Sequence, residues 1–204
     1  MNRTAALLML SLFGCAPDLR VDHPFDGTGK CVDPATKEQV DCSLVPLVFV
    51  RKEGETREMI VDATNKESKV YVDLDSGREM KTEEAFATND WDLAFKRFEI
   101  TLNGGSSNPQ GLVRVAVLEG RDFEALTQAP ADGYQQDGAQ SVFTAVNGGW
   151  YYYDLGTHKL TTKDELYVVQ TSDGVYFKLR MGSYYDASGT PARLSLSYAP
   201  VTAP

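Results

Sequence analysis

Short runs in which apolar and polar residues alternate restrict the fold of this chain more than any other feature. From Leu44 onward, nine such runs have the length of a strand and are separated by Gly, Asp and Asn turns. They are 45–52, 57–63, 69–77, 91–102, 111–120, 150–155, 166–171, 175–181 and 192–199. Helical signals are limited to 81–87 and 121–126. The pattern predicts an all-β or β-dominated domain over 44–204, made of curved or packed antiparallel sheets with one or two short helices.

Several turns and strand faces can also be predicted. Ser172-Asp173-Gly174 is typical of a tight turn, and the longest run, 91–102, is expected to stop at Asn103-Gly104-Gly105. Side chains alternate between the two faces of a strand, and this predicts which residues of 175–181, the run after the turn at 172–174, point inward. The expected inward residues are Val175, Phe177, Leu179 and Met181, and the expected outward residues are Tyr176, Lys178 and Arg180.

The first residues have the composition of an export signal. Arg3 precedes an apolar run over 5–13, which is too short to span a bilayer because that takes about 20 residues. The Leu-Phe-Gly-Cys sequence at 12–15 resembles a bacterial lipobox, in which the cysteine is lipidated and becomes the new N-terminus. We therefore predict a signal peptide over 1–14 and a lipid anchor on Cys15. The alternative is an ordinary cleaved signal that leaves a free thiol.

The cysteine count is consistent with that anchor. Of three cysteines, lipidation of Cys15 leaves Cys31 and Cys42 as a pair. A disulfide is expected between them in an exported chain, and a loop of this size contributes about 3 kcal/mol. A metal site is the alternative, but the sequence around the pair offers no companion ligands. Residues 15–43 are otherwise rich in Asp, Gly, Pro and Thr, which predicts a tether between membrane and domain.

Charge and motifs exclude several classes of function. The chain has 20 Lys and Arg against 29 Asp and Glu, with no basic block, which argues against nucleic acid as a partner. It lacks the G-x-S-x-G, H-E-x-x-H and Walker motifs, and 73–84 imitates a calcium loop only at its ends. Asp92 is expected to anchor a turn or to pair with Lys96 or Arg97. The sequence therefore predicts a binding protein and not an enzyme.

Two longer segments resemble a known family. WDLAFKRFEITLNGGSS at 91–107 and LYVVQTSDGVYFKLRMGSYYDASG at 166–189, together with the lipobox, resemble the HmuY-like family of bacterial haem-binding lipoproteins over about 45–200. This resemblance implies a lipoprotein, facing the cell surface or periplasm, that captures haem or a related porphyrin for iron acquisition. Ala16, directly after the predicted lipidated cysteine, is compatible with sorting to the outer membrane. The resemblance also implies host haemoproteins or an outer-membrane haem transporter as partners. The alternative is a non-haem surface binding or adhesion module on the same fold.

The resemblance does not assign iron ligands. Haem binders of this family hold iron between a pair of His or a pair of Met, whereas only His158 lies in this domain, since His23 is in the tether. The remaining options are His158 with a methionine, or two of Met59, Met80 and Met181. The haem-ligand candidates are His158, Met80 and Met181, with no metal other than haem iron expected. Each also has an ordinary interpretation, as an exposed turn histidine or a core methionine.

Aromatic residues concentrate in the second half of the chain. Nine of the ten tyrosines follow residue 133, and three of them come directly after Trp150. On a strand, Trp150 and Tyr152 would share one face and Tyr151 and Tyr153 the other. Because planar ligands bind well against aromatic side chains, Trp150 and Tyr152 are predicted to line a cleft. A tyrosine-rich surface without a ligand is the alternative.

Overall fold

The computed structural model describes residues 30–32, 39–41 and 46–204. The first two segments pair as a short antiparallel hairpin within the region predicted as a tether. The signal peptide, Cys15 and Cys42 lie outside the described residues, so lipidation stays a prediction. No disulfide is found among the described residues, and the predicted Cys31–Cys42 bridge is not supported.

Fourteen strands and two short helices form the secondary structure of the described residues. The strands are β1 (Lys30–Val32), β2 (Gln39–Asp41), β3 (Val48–Glu53), β4 (Thr56–Asp62), β5 (Val70–Asp73), β6 (Arg78–Met80), β7 (Leu93–Lys96), β8 (Glu99–Leu102), β9 (Arg114–Glu119), β10 (Tyr151–Asp154), β11 (Lys159–Thr162), β12 (Glu165–Gln170), β13 (Tyr176–Tyr185) and β14 (Pro191–Val201). The helices are α1 (Thr82–Thr88) and α2 (Val142–Ala145), and a 3-10 turn over Val146–Gly148 follows α2. The predicted β-dominated fold with one or two short helices is confirmed.

The strands form two larger sheets and two separate hairpins, and every pair of named strands is antiparallel. The six-stranded sheet has the order β3-β4-β14-β13-β12-β9, and the four-stranded sheet has the order β6-β5-β7-β8. Val61 and Leu196 of the first sheet lie in the same buried cluster as Val72 and Phe95 of the second. The two sheets therefore share one apolar core, whose burial is the main stabilising contribution.

The predicted strand faces are correct over most of β13, but Val175, expected to point inward, is exposed just before the strand. Phe177, Leu179 and Met181 are buried, and so are the alternate residues of β14, Leu194, Leu196 and Tyr198. Lys178, expected to point into solvent, is also buried. Its ammonium group donates to the carbonyl oxygens of Phe123 and Leu126, at 2.6 and 3.0 Å. The segment 121–126, predicted as a helix, has no helical structure. It crosses the face of the sheet that carries Lys178 and covers it.

The run 91–102 is two strands and not one. β7 and β8 form a hairpin in which Lys96 pairs with Glu99, and the chain reverses between them at Arg97, whose φ is +56°. Left-handed backbone is unfavourable for a residue with a Cβ. The turn is held from outside, because the N–H of Arg97 donates to the carbonyl of Ala63 at 2.9 Å. The predicted stop at Asn103-Gly104-Gly105 coincides with the end of β8.

Helix signals were informative only where a helix has enough residues. The stretch 81–87 corresponds to α1, which ends at Asn89 in the left-handed conformation with φ +62°. α2 was not predicted, because its single turn is too short to show a helical period. Neither of the described helices is long and apolar enough to cross a membrane.

Candidate functional site

The β10–β11 hairpin, with the β7–β8 turn beside it, concentrates exposed apolar side chains. Among the described residues, seven large hydrophobic side chains are exposed, and four of them lie here: Phe98, Tyr152, Tyr153 and Leu155. The hairpin belongs to neither large sheet, and its strands pair only with each other. Leaving several large apolar groups together in water is unfavourable, so such a surface indicates a binding site.

A buried aromatic side chain, that of Trp150, attaches this hairpin to the domain. Trp150 is 1% exposed, and its indole N–H donates to the Phe98 carbonyl at 3.0 Å. Its ring contacts the rings of Tyr151 and Tyr184, with centroids 5.1 and 6.2 Å apart. Edge-to-face contacts of this kind add to the stability that burial supplies. The hairpin therefore begins at a point fixed in the core.

The predicted pairing of Trp150 with Tyr152 in one cleft is not what the structure shows. Tyr152 is 65% exposed, and its ring lies against the ammonium group of Lys163, 5.1 Å from the centroid. β10 begins at Tyr151, so Trp150 precedes the strand, and its indole packs into the core. An exposed ring and a fully buried ring cannot line the same cleft. Tyr152 thus belongs to the exposed surface and Trp150 to its support.

Two hydrogen bonds join β11 to β13 and fix the hairpin on its inner side. The backbone N–H of Leu160 donates to the hydroxyl of Tyr185 at 3.0 Å, and the hydroxyl of Thr162 donates to the Gly182 carbonyl at 3.1 Å. Across the hairpin, Tyr153 is paired with Leu160. Tyr153 is therefore positioned by a strand that is itself attached to the six-stranded sheet.

His158 is exposed in the tight turn of this hairpin and contacts Tyr153. The Tyr153 hydroxyl and His158 Nδ1 are 2.8 Å apart and hydrogen-bonded. The His158 backbone has φ +56°, and its N–H donates to the Asp154 carbonyl at 2.8 Å. The Asp154 carboxylate accepts the backbone N–H groups of Thr157 and Gly156, and these bonds hold its pKa below the usual value. The turn that carries the imidazole is thus internally ordered.

The candidate methionines lie elsewhere, inside packed clusters. Met80 is 2% exposed and packs with Tyr71 and Trp91, whereas Met181 is 4% exposed in the main core. Met59, the third methionine among the ligand options, is fully buried. The structure therefore does not bring Met80, Met181 and His158 together, and of these three only the imidazole is accessible to a ligand.

A separate group of hydrogen bonds, centred on Asp92, connects the two sheets and has a structural role. Asp92 is fully buried and accepts the N–H groups of Leu74 and Ser172, each at 2.8 Å. Leu74 follows a strand of the four-stranded sheet and Ser172 a strand of the six-stranded sheet. Burial raises the pKa of Asp92 to about 7, against the lowering effect of these hydrogen bonds, and the nearby Asp75 and Asp73 raise it further.

The predicted role of Asp92 as a turn anchor is confirmed, and the predicted pairing with Lys96 or Arg97 is wrong. Lys96 instead forms an ion pair with Glu99 at 3.5 Å, and the Arg97 guanidinium donates to the Thr64 carbonyl at 3.3 Å. Asp92 precedes β7, whereas Lys96 and Arg97 lie at the other end of that strand.

The fold and the hairpin define a β-sheet protein with an exposed aromatic surface, and comparison with known proteins gives its relationship. The HmuY family model, described as HmuY protein, matches residues 65–155. The predicted resemblance to the HmuY-like family is thereby confirmed. No curated protein matches the chain.

Three solved structures show the same fold. The apo HmuY analog of Tannerella forsythia has a TM-score of 0.57 and 18% identity, covering 74% of this chain and 97% of its own. A Bacteroides vulgatus protein, provisionally named a HmuY-like heme binding protein, has a TM-score of 0.55 and 20% identity, covering 75% and 97%. A Bacteroides fragilis protein, provisionally named a lipoprotein, has a TM-score of 0.54 and 16% identity, covering 74% and 95%.

Sequence reasoning missed Tyr153 and Leu155 as parts of the site. Alternation grouped Tyr153 with Tyr151, and the second strand of the hairpin was not recognised. The available signal was the turn after Asp154, in which an Asx-type acceptor and Gly156 close a loop that returns His158 to Tyr153. Recognising that turn would have placed a phenol and an imidazole side by side.

Proposed function

We propose that this chain captures haem, or a related porphyrin, for uptake and holds it against the exposed face of the β10–β11 hairpin. The observation that carries the proposal is an accessible imidazole bonded to the exposed Tyr153, in a hairpin that carries further exposed aromatic and apolar side chains, on a HmuY-like fold. A porphyrin offers a large apolar plane, which such side chains can cover. The relationship to HmuY-like proteins, one of them named as heme binding, supports the same ligand.

Ammonium groups beside the hairpin suit the rest of the ligand. Lys159 lies on β11, paired with Asp154, and Lys163 follows that strand. Haem carries two propionate groups, and charge-assisted hydrogen bonds from ammonium groups stabilise carboxylates. An apolar surface with cations at its edge therefore fits an amphiphilic, anionic plane.

Of the predicted ligands, His158 is the one that haem iron could reach without rearrangement. Imidazole nitrogen is a common axial ligand of haem, and the turn presents this ring to solvent. For Met80 or Met181 to reach iron, the surrounding cluster would have to open, because each sulfur lies in a packed interior. These two methionines remain candidates only for a form of the protein in which its core has rearranged.

The cellular setting is part of the proposal. The lipobox at 12–15 and the relative named as a lipoprotein support export and anchoring through Cys15. We place the protein at the outer membrane, facing the cell surface or the periplasm. There it would take haem from host haemoproteins and pass it to an outer-membrane haem transporter.

A haemin titration of the full chain tests this function. We expect a saturable shift of the Soret band, and weaker binding of iron-free protoporphyrin, since that ligand keeps the plane but lacks iron. Leu155→Ser should weaken both ligands, because Leu155 is 80% exposed on the hairpin. The matched control is Leu112→Ser, since Leu112 is 73% exposed on the loop between β8 and β9 and should have no effect. A titration without saturable change would exclude haem capture.

A non-haem surface binding or adhesion module is the second candidate. The observation that favours it is the lack of a second accessible His or Met beside His158 in the described residues. This candidate predicts that the exposed hairpin binds a protein or glycan equally well with and without haemin. Binding abolished by Leu155→Ser in the absence of haemin would support it over the first.

A further inference from the structure

We propose that Tyr153 is the side chain that binds haem iron, and that His158 is a positioning residue that takes the phenol proton. This inference rests on the proposed haem capture and deepens it by naming the ligand atom, the Tyr153 hydroxyl oxygen. It also gives His158 a different task from that of the metal ligand predicted from its sequence. The observation behind it is the hydrogen bond of 2.8 Å between the two exposed side chains.

Tyr153 combines access with a fixed backbone. Its side chain is 48% exposed, so that a planar ligand can approach it. Its backbone lies within β10, paired with Leu160, which is in turn tied to β13 through Tyr185. A ligand atom on a strand is held more precisely than one on a loop, and precise placement is required for coordination.

The partner imidazole supplies an acceptor for the phenol proton. Iron is bound by the phenolate in haem proteins with a tyrosine ligand, so the hydroxyl proton must move to another group when the bond to iron forms. In the tautomer that carries hydrogen on Nε2, Nδ1 of His158 accepts a hydrogen bond from the Tyr153 hydroxyl. That nitrogen is therefore placed to remove the proton when iron arrives.

The ligation step balances without any redox partner. Haemin brings ferric iron with an axial water. The O–H bond of Tyr153 breaks, its proton passes to His158 Nδ1, and the hydroxyl oxygen forms a bond to iron as the water leaves. Iron stays ferric throughout. The anionic oxygen neutralises the positive charge of the ferric porphyrin centre, and the imidazolium remains beside the phenolate it created.

The backbone conformation at His158 supports the assignment of this side chain as a positioning residue. A non-glycine residue at φ +56° is held in a sparsely populated conformation, which costs free energy and persists only where the surroundings enforce it. Here the enforcement comes from the turn closed by Asp154, through its carbonyl and its carboxylate. Glycine or asparagine would fit this position with less strain, but neither would present an imidazole nitrogen to Tyr153.

Haemin titrations of the full chain and three variants test the assignment, with resonance Raman spectra as the readout. The parent chain should show iron–tyrosinate vibrations and a high-spin ferric spectrum. Tyr153→Phe should lose those vibrations and bind haemin on the order of a hundredfold more weakly. His158→Ala should keep the vibrations in a smaller fraction of the bound haem and bind about tenfold more weakly. Tyr176→Phe, a matched control that removes a phenol hydroxyl from β13 away from the hairpin, should behave as the parent.

The outcomes separate this inference from the proposed function. Haemin that binds without tyrosinate vibrations, with a spectrum lost in His158→Ala and kept in Tyr153→Phe, would overturn the inference while haem capture stands, with His158 as the ligand. Binding that none of the variants changes would also overturn it. A parent chain that binds no haemin would remove both proposals. Tyr153 and His158 are exposed and Tyr176→Phe keeps its ring, so circular dichroism should show each variant folded as the parent is.

Discussion

The buried carboxylate that joins the two sheets makes the stability of this protein depend on pH. In the folded chain, burial raises the pKa of Asp92 to about 7, from 3.8 for an unperturbed carboxyl. A folded-state pKa above the unfolded value means that the folded chain holds this proton more tightly. The stability that this provides is complete below about pH 4 and is lost as pH rises through about 7.

The magnitude follows from the difference between the two pKa values. A rise of a carboxyl pKa from 3.8 to about 7 corresponds to about 4 kcal/mol of unfolding free energy, lost across that range. Most domains of this size have only about 5 to 15 kcal/mol of stability in total, so the loss is a large part of it. Full burial of Asp92 is the reason for the size of the effect, since little water reaches the charge.

The perturbation that isolates this effect is Asp92→Asn, which keeps the shape and removes the ionisation. Urea unfolding of parent and variant should be compared at several values between about pH 4 and about pH 8. The stability difference should move by about 4 kcal/mol in favour of the variant as pH rises. Asp90→Asn, which removes an exposed carboxyl two residues away, should show no such movement. A parent–Asp92→Asn difference that stays constant over this range would refute the reasoning.

Three further changes test the placement of buried side chains, each measured by chemical denaturation. Trp150→Ala should lower the free energy of unfolding by about 3 to 5 kcal/mol, because it removes a core ring. An unchanged stability would indicate that Trp150 lines a binding cleft instead. Met80→Ala should cost about 2 to 5 kcal/mol and leave haemin affinity of the folded protein unchanged, whereas a selective loss of affinity would make it a ligand. Lys178→Met should cost about 1 to 3 kcal/mol by leaving two buried carbonyls without their donor, and a neutral result would show that water replaces it.

Local pattern was sufficient for strands that pack one face against the core. The alternation over β13 predicted Phe177, Leu179 and Met181 as buried, because the side-chain period of a strand is two. The turn at 172–174 followed in the same way from its Asp-Gly chemistry. The pattern was misleading at Lys178, because the segment over 121–127 covers that face and supplies carbonyls for the ammonium group.

The candidate site was predicted only in part, for a related reason. His158 was recognised as a possible ligand from its type, but its partner Tyr153 was assigned by alternation alone. The turn of the β10–β11 hairpin brings the two residues together. The strand after that turn, β11, is short and mostly exposed, so its sequence has little apolar periodicity to detect. The ligand candidates Met80 and Met181 were chosen by chemistry without knowledge of burial, and burial is a property of the packed whole.

The sequence by itself determined the β-dominated class, the HmuY-like relationship and most strand positions, because these depend on residue periodicity and on motifs contiguous in the chain. Tertiary structure decided the rest. The reversal at Arg97 needs a carbonyl from Ala63, and the indole of Trp150 is buried by β13 and the β7–β8 turn. The pKa of Asp92 is raised by burial at a point where it binds residues that follow strands of both sheets. Each of these three features depends on contacts between residues distant in sequence, so no local sequence pattern could predict it.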